Sequence, residues 1–470
     1  MGHGPFTRAE LLRHDNFSGV LAADIAIDGS NCSVYILMLH YWSEHVSSSV
    51  AGMRALSVLF GVALVLVVFF AAWRITADKM MALCAALLCA ISPMFLVHSQ
   101  DCRTYALATF LTTLSTWFFF RLLKTEQPRR TDFVIYVVAV SLSLLAHYST
   151  CYIFMAHVVI ALMERIDRRK WMMLSGAALL VGLVLLLWLF NGGFEGLGHI
   201  AVRNEAYRDQ VTKNPEINTF FNASTPRTML QGAITQLLWI TGNGLGPIGG
   251  RVRFSLLLIA IPAALIVAGF ITIKDKRSRT LMSTLLVLAL SGTVYATALA
   301  AISGHTVAYE GLYGNFSAPW MLALMAISTV TLLRSTEGAK RFVAIVLIAA
   351  QLMITFTSLT IVYKGTHGTS TNQPAQFATR INDIACEHPD RFHIVYGEPM
   401  TAMLTNLYLC DALKDIRQEV DSTSDPAITL RSTENGIAPI VILQEPLGRT
   451  ISWSEELERR ERKKNSTPVH

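Results

Sequence analysis

Four side chains that can do chemistry lie within eight positions of one another, between two long apolar segments: His98, Asp101, Arg103 and Tyr105. An aspartate accepts protons or holds a cation, an arginine binds phosphate, and a histidine ligates metals. We expect Asp101 to cap the helix that begins here and Arg103 to project toward an anion. The alternative is an aspartate cap beside an arginine that snorkels to the edge of the apolar region.

The segments that must position these residues are strongly apolar. Hydrophobic residues make up 52% of the 470 residues and charged residues only 15%, against about 25% charged in ordinary globular chains. The mean hydropathy is +0.44. This composition excludes an ordinary soluble enzyme and predicts a chain that lies mostly in lipid.

Ten apolar runs have about the length of a membrane span or slightly less. They cover residues 50–75, 80–99, 105–123, 133–145, 148–163, 171–190, 254–273, 281–302, 318–333 and 342–362. The two short runs on either side of His147 and Tyr148 are either two tilted spans or one long one, and the charges favour two. We therefore predict an all-α polytopic membrane protein with about ten transmembrane helices.

Basic residues fill every second connection between these runs. The five basic connections lie near residues 74–79, 121–130, 165–170, 274–279 and 334–341. Since short cytoplasmic loops collect Lys and Arg, this alternation places both chain ends outside the cytoplasm. The net charge of +6 then sets orientation and requires no nucleic-acid partner.

The N-terminal segment, residues 1–49, would have to cross the membrane, although it carries Asp15, Asp24, Asp28 and Glu44 and no apolar signal. We expect one more transmembrane helix to precede Met1. The alternative is that the first span inserts head-first and takes this segment with it.

Residues 50–363 form the predicted transmembrane domain, with an excursion outside the membrane at residues 192–253. Residues 364–470 have the composition of a small α/β domain outside the cytoplasm, followed by a charged tail. Its pattern predicts helices at 376–386, 401–409 and 454–464 and strands at 392–396 and 438–443. Cys386 and Cys410 share this domain, where a disulfide is permitted but not established by spacing.

The run SPMFLVHSQDCRTYALATFLTTLSTWFFFRLL, which begins at Ser92, resembles the outer hairpin of bacterial GT-C membrane glycosyltransferases. The resemblance implies that Ser92-Pro93 opens the turn and that Gln100, Asp101, Arg103 and Tyr105 close it. This superfamily group is related to the dolichyl-phosphate-mannose protein mannosyltransferases and the lipid A aminoarabinose transferase. Residues 34–42 and 53–57 resemble the group's outer amphipathic helix and the start of its second span. Residues 146–148 resemble its outer His-Tyr turn, and a C-terminal α/β domain is also usual there.

The resemblance implies transfer of a sugar from a polyprenyl-phosphate donor to an unidentified acceptor. The reaction would occur at the outer face of a bacterial cytoplasmic membrane, with membrane lipids as partners. For such a reaction we predict catalytic roles for Asp101, Arg103 and Tyr105, where Asp101 orients Arg103 or holds a cation. We predict donor-phosphate binding by Arg54, Arg103, His147 and Tyr148, and His98 and Asp101 as ligands of a divalent metal ion, if one is used.

Three departures from the group keep other interpretations open. The sequence lacks the acidic Asp-Glu pair expected after a first transmembrane helix, and Asn31-Cys32 stands where paired prolines are usual. Asn315 replaces a basic residue before a later span. A catalytically inactive homologue is one alternative. A transporter or flippase of lipid-linked sugars is another, although we find no internal repeat or charged residues at mid-membrane that would favour it.

Overall fold

The helices of this chain follow its apolar runs. The computed structural model describes residues 16–28, 33–215, 221–243, 252–309 and 311–363. In the C-terminal part it describes residues 378, 381–386, 392–396, 413, 418–420, 428–432 and 440–443. The chain forms two compact units that divide near residue 364.

The helices of the first unit fall into two groups, separated by a kink near residue 191. The first group is α1 (Phe17–Asp28), α2 (Ser33–His45), α3 (Val50–Thr76), α4 (Lys79–Ala90), α5 (Pro93–Gln100), α6 (Tyr105–Lys124), α7 (Arg130–Ala146), α8 (Cys151–Met163) and α9 (Arg168–Trp188). The second group is α10 (Phe194–Lys213), α11 (Pro226–Ile240), α12 (Val252–Thr272), α13 (Lys276–Ser303), α14 (Gly311–Gly314), α15 (Ala318–Leu333) and α16 (Gly338–Tyr363).

The prediction of an all-α polytopic membrane domain is confirmed, since each of the ten apolar runs coincides with a helix or a broken pair of helices. Within the described residues, six helices are long and apolar enough to cross a membrane: α3, α6, α9 continuing into α10, α12, α13 and α16. The bent pair α4–α5 makes a seventh. The other three predicted spans coincide with α7 and with the shorter apolar helices at Tyr148–Met163 and Ala318–Leu333, and the count of ten spans stays a prediction.

The second predicted span, residues 80–99, is broken. Its two helices, α4 and α5, meet at an angle of 56°, because Pro93 occupies the first turn of α5 and has no N–H to continue the ladder of α4. Ser92-Pro93 therefore marks a kink inside a span, and the turn that reverses the chain is residues 101–104. The sequence placed that turn's opening at Ser92, which is wrong.

Helices α6 and α15 lie at the centre of the first unit. Of the most apolar 18-residue stretch of α6, 78% is buried. The corresponding share for α9 is 11%, so α9 lies at the periphery. The hydroxyls of Thr112, Thr113 and Thr116 donate to carbonyls four residues earlier, at 2.7–2.9 Å. These bonds keep the threonine hydroxyls satisfied inside an otherwise apolar centre. Thr116 Oγ1 also lies 3.0 Å from His157 Nε2 of α8, which ties the two helices together.

The excursion predicted at residues 192–253 begins at a break in the helix after α9. Asn191 and Gly192 leave helical geometry there, with φ +114° at Gly192, a conformation that favours glycine. The polar helix α10 follows. Helix α11 begins with a reciprocal cap between Thr225 and Thr228 and with Pro226 in its first turn, both strong helix-start signals.

The described residues of the second unit form a small mixed sheet with a short helical segment at 381–385. Its strands are β1 (Phe392–Tyr396), β2 (Gln418–Val420), β3 (Ile428–Ser432) and β4 (Ile440–Leu443), in the order β2-β1-β3-β4. Strand β2 runs parallel to β1, and the other two pairings are antiparallel.

Strands β1 and β4 coincide with the two predicted strands of this unit, whereas β2 and β3 had no clear sequence signal. Cys386 is disulfide-bonded, and its partner lies outside the described residues. The helices predicted at 401–409 and 454–464 also lie outside them.

Candidate functional site

Two ends of the first unit differ in the residues that they gather. At the first, which we call the basic end, Arg334 pairs with Asp78 and Lys124 Nζ lies 2.7 Å from Glu164. Lys170 Nζ donates to the carbonyl of Leu123 at 2.7 Å. These contacts join four of the five basic connections at one end, as the alternation of charge predicts.

The other end of the first unit, which we call the opposite end, contains three turns with few charged residues. These turns lie near residues 101–104, 147–150 and 315–317. Thr104 Oγ1 donates to the carbonyl of Ala146 at 2.9 Å, and Tyr152 OH donates to the carbonyl of Tyr313 at 2.9 Å. Side chains at the starts of α6 and α8 thus bond to the backbone of a neighbouring turn. The three turns are fixed relative to one another.

Aromatic and histidine rings that contact one another line this end. The ring of Tyr105 lies 5.0 Å from that of His98 and 5.7 Å from that of His147. The ring of His147 also contacts Tyr313 at 5.7 Å and Phe316 at 5.4 Å. We call these five residues the aromatic–histidine cluster. It joins three of the residues predicted from sequence, His98, Tyr105 and His147, to two that the sequence did not single out.

The charged groups lie beside this cluster. The guanidinium carbon of Arg103 lies 5.3 Å from the centre of the Tyr105 ring, close enough for a cation–π contact. The side chain of Asp101 is 23% exposed, and its Oδ2 lies 3.9 Å from His98 Nδ1. Burial raises the pKa of the Asp101 carboxyl, while the nearby charges of Arg103 and Arg54 lower it. Both predicted arginines therefore act on the predicted catalytic aspartate.

Asp101 does not cap α6, contrary to the sequence expectation. The residue at the N-cap position of that helix is Thr104, and Asp101 instead follows the last residue of α5. Three residues separate Asp101 from the first residue of α6. The carboxylate is therefore left in the turn beside the arginines.

A buried chain of hydroxyls supports the turn from behind. Ser57 Oγ donates to the carbonyl of Asp101 at 2.6 Å, and Tyr35 OH lies 2.6 Å from the same Ser57 oxygen. Ser57 and Tyr35 are both fully buried. Both fall in segments that resemble GT-C proteins, but the sequence gave neither of them a role.

Several buried polar atoms near the cluster have no hydrogen-bond partner among the described residues. They are His98 Nδ1 and the side-chain amides of Asn315 and Gln236. Asn315 lies next to His98, and Gln236 packs against the backbone at Gly314. Buried polar groups are nearly always bonded, so unbonded ones at a site are typical of groups that bind a ligand or water. The sequence noted Asn315 only as a departure and missed Gln236.

Two other polar residues are held in separate contacts. The OH of Tyr148 accepts a hydrogen bond from Trp188 Nε1 at 3.2 Å, so this predicted phosphate ligand bonds to α9. Asp24, an acidic residue of the N-terminal segment, is buried and accepts a hydrogen bond from Ser33 Oγ at 2.5 Å.

The predicted metal pair, His98 and Asp101, has no third His, Cys, Asp or Glu to complete a site within the part of the chain that the structure describes. Two ligands alone fit a metal ion poorly. We derive no chemical step through a metal, and its use stays a prediction.

An apolar groove of about 640 Å³ lies between α1, α2 and α3, against α6. Its walls include Phe17, Tyr41, Trp42, Leu59, Phe60 and Ala63. Leu56, which also lines it, follows Arg54 by two residues on α3. The groove therefore follows α3 from Leu56 to Ala63, and Arg54 lies one half-turn before it along the chain.

A family model described as "Predicted membrane protein (DUF2142)" matches residues 33–322, which is more than half of the chain. A search of curated proteins found no match. Among solved structures, ArnT from Cupriavidus metallidurans in the apo state is similar at 13% identity and a TM-score of 0.46, over 87% of this chain and 71% of that one.

A second structure of that ArnT, bound to undecaprenyl phosphate, gives 12% identity and a TM-score of 0.46 over the same shares. The oligosaccharyltransferase of Archaeoglobus fulgidus gives 15% identity and a TM-score of 0.43, over 70% of this chain and 47% of that one. At this level of similarity these matches carry no argument.

Proposed function

The chain belongs to the DUF2142 family of predicted membrane proteins, and we propose that it transfers a sugar from a polyprenyl-phosphate-linked donor to an acceptor at the outer face of the cytoplasmic membrane. The observation that carries this proposal is the position of Arg54. Its charge acts on Asp101 together with that of Arg103, and it precedes by two residues Leu56, the first residue of α3 that lines the apolar groove.

This arrangement fits a ligand with an apolar tail and an anionic head. An isoprenoid chain in the groove would remain in contact with lipid along α3, since the groove walls are almost entirely apolar. Its phosphate would then reach Arg54 and Arg103, whose planar guanidinium groups bind phosphate oxygens in pairs. A free sugar nucleotide has no tail for the groove.

The same residues supply the chemistry of an inverting displacement. The acceptor hydroxyl oxygen attacks the anomeric carbon, the bond from that carbon to the phosphate oxygen breaks, and polyprenyl phosphate leaves with the electron pair. Asp101 takes the hydroxyl proton, because burial raises its pKa and so makes the carboxylate a better proton acceptor. Arg54 and Arg103 stabilise the negative charge that develops on the leaving phosphate.

The unbonded polar atoms offer a place for the sugar or the acceptor. The amides of Asn315 and Gln236 and the Nδ1 of His98 provide donors and acceptors without protein partners among the described residues. Hydroxyl groups of a carbohydrate would satisfy them. The rings of Tyr105 and His147 form one wall beside these groups.

Two observations favour a reaction at the outer face of the cytoplasmic membrane. The basic connections gather at the end away from Asp101, and such connections are typical of the cytoplasmic side. The disulfide bond of Cys386 in the second unit is typical of an oxidising compartment outside the cytoplasm.

The test is a transfer assay with membranes from cells that express the complete gene product and a labelled polyprenyl-phosphate sugar. We expect Arg103→Ala to lower the transfer rate by about a hundredfold or more, because a charge-stabilising group is lost. Arg129→Ala, which removes an exposed arginine from a basic connection, is the matched control and should leave the rate unchanged.

Equal rates in the two variants would contradict the proposed role of Arg103. If the labelled donor crosses sealed vesicles while no glycosylated product forms, the protein is a transporter of lipid-linked sugars. If neither event occurs although the donor binds, the protein is an inactive homologue.

A further inference from the structure

A second cavity, of about 500 Å³, lies at the basic end. It is lined by the connection between α3 and α4, the ends of α6 and α8, and the first two turns of α13. Segments from four parts of the sequence therefore meet around one polar space, remote in the fold from the aromatic–histidine cluster.

The lining of this cavity is positively charged. Arg74, Lys124 and Arg277 contribute three cations, and Glu164 contributes one carboxylate. Glu164 is paired with Lys124 at 2.7 Å. The other ion pairs among the described residues of this end are Arg334–Asp78, Arg121–Asp132, Lys170–Asp167 and Lys340–Glu337, and they use neither Arg74 nor Arg277. Two positive charges of the lining are thus available to an anion.

A buried hydroxyl also points to a ligand. Thr284 is 1% exposed, lines the cavity, and its Oγ1 has no hydrogen-bond partner among the described residues. Two other threonines of the lining are satisfied: Thr76 donates to the carbonyl of Ala72 at 2.7 Å and Thr280 to that of Lys276 at 3.0 Å. A helical threonine normally bonds in this way, which makes the free hydroxyl of Thr284 an exception that a bound acceptor would explain.

We infer that this cavity binds a phosphate group, held by Arg74 and Arg277 and by a hydrogen bond from Thr284. Phosphate oxygens are acceptors only and match two guanidinium groups and a hydroxyl donor. The phosphate can come from the headgroup of an anionic phospholipid, because basic pockets between transmembrane helices on the cytoplasmic side bind such headgroups. It can also come from a soluble phosphate compound. Nothing in this inference depends on sugar transfer.

The experiment measures binding to the full chain, purified in detergent. Phosphatidylglycerol and the zwitterionic phosphatidylcholine are titrated by native mass spectrometry, and radiolabelled inorganic phosphate by equilibrium dialysis. Retention of phosphatidylglycerol over phosphatidylcholine identifies an anionic headgroup. Binding of inorganic phosphate without a preference between the two lipids identifies a soluble source.

Three variants test the assignment of residues. Arg277→Gln should weaken the preferred ligand about tenfold, the effect of one lost charge-assisted hydrogen bond. Thr284→Val, which keeps the shape of the side chain, should weaken it several-fold. Lys276→Gln removes the same charge from the adjacent exposed residue, which does not line the cavity, and should leave binding unchanged.

A thermal melt of each variant verifies that it is folded, and Arg74→Gln replaces Arg277→Gln if that variant fails. If the arginine variant and Lys276→Gln bind equally, or Thr284→Val binds like the natural chain, the assignment is overturned. It is also overturned if all three probes bind no better than to a detergent blank.

Discussion

The two ends of the membrane unit differ in how their charged and polar side chains are paired. At the basic end, carboxylates meet cations directly, as in the pairs Asp78–Arg334 and Lys124–Glu164. At the opposite end, Asp101 lies near two arginines, and the amides of Asn315 and Gln236 have no partner within the described residues. Pairing of opposite charges dominates the basic end, apart from the cavity at Arg74, Arg277 and Thr284, whereas the opposite end has buried amides without a partner beside an aspartate and two arginines. Residue type alone does not separate the two ends, because both contain Arg and Asp.

The largest expected effect comes from the carboxylate at the opposite end. Asp101→Asn should lower the transfer rate by about a hundredfold to ten-thousandfold, the usual contribution of a general base. Since burial raises the pKa of Asp101, the natural protein should lose activity as the pH falls through that raised pKa. The variant should lack this acidic limb in its pH–rate profile.

Asp167→Asn is the control at the basic end, where the exposed Asp167 caps α9. It should keep both the transfer rate and the acidic limb. An acidic limb that persists in Asp101→Asn would assign the proton acceptor to another residue.

The next effect concerns the groove beside Arg54. Ala63→Trp fills the groove and should raise the KM for the polyprenyl donor about tenfold, as if about two methylene groups of the tail were displaced. Val62→Trp adds the same bulk to the adjacent residue, which is 58% exposed on the periphery of the unit. Steady-state kinetics with donors of different tail length would show equal KM values for the two variants if the tail binds elsewhere.

A smaller effect is expected for the hydroxyls behind the turn. Ser57→Ala removes the donor to the Asp101 carbonyl and leaves Tyr35 OH without that contact. The free energy of unfolding should fall by about 1–3 kcal/mol, the cost of unsatisfied buried groups. Thermal unfolding in detergent checks this, with Ser143→Ala as the control, because the buried Ser143 bonds only within its own helix. Equal melting temperatures would show that the Ser57 bridge does not stabilise the turn.

The smallest effect belongs to the ion pair between Asp78 and Arg334. A double-mutant cycle with Asp78→Asn and Arg334→Gln should give a coupling of about 0.5 kcal/mol, since exposed pairs are screened by solvent. Arg334 lowers the pKa of Asp78. The pair therefore stabilises the fold above the ordinary pKa of aspartate, and this stability is lost as the pH falls through the lowered value. A coupling of several kcal/mol would remove the contrast between the two ends.

The sequence predicted the helices well because apolar runs and charge alternation are local signals. It also proposed Arg54, Asp101, Arg103, Tyr105 and His147 as site residues, from their polar character at the ends of apolar runs. The structure places these residues close to one another, and their roles stay predictions. It misjudged Ser92-Pro93, since a proline signals the end of a helix equally well at a chain reversal and at a kink within a span.

Other parts of the site had no sequence signal. Gln236 and Tyr313 lie far from Asp101 along the chain, and only the packing of α11 and α14 brings them to the same end. Ser57 is one hydroxyl in an apolar helix, a position where serine commonly bonds to its own backbone. Its bond to the Asp101 carbonyl spans 44 positions in the sequence, so it depends on how α3 packs beside the turn.

The break at Pro93 also determines how far the chain rises before the turn at residues 101–104. Helix α4 has 12 residues and therefore rises about 18 Å. Helix α5 has 8 residues and is bent by 56° from α4, so it adds only about 7 Å along the axis of α4. A straight helix over residues 79–100 would rise about 33 Å, slightly more than the about 30 Å of hydrocarbon in a bilayer. If α4 lies along the membrane normal, the bend stops the chain some 5 Å short of the hydrocarbon surface. For the proposed donor, a phosphate anchored in lipid would then need to sink only slightly to reach Asp101 and Arg103, whereas a freely dissolved phosphate would have to leave water.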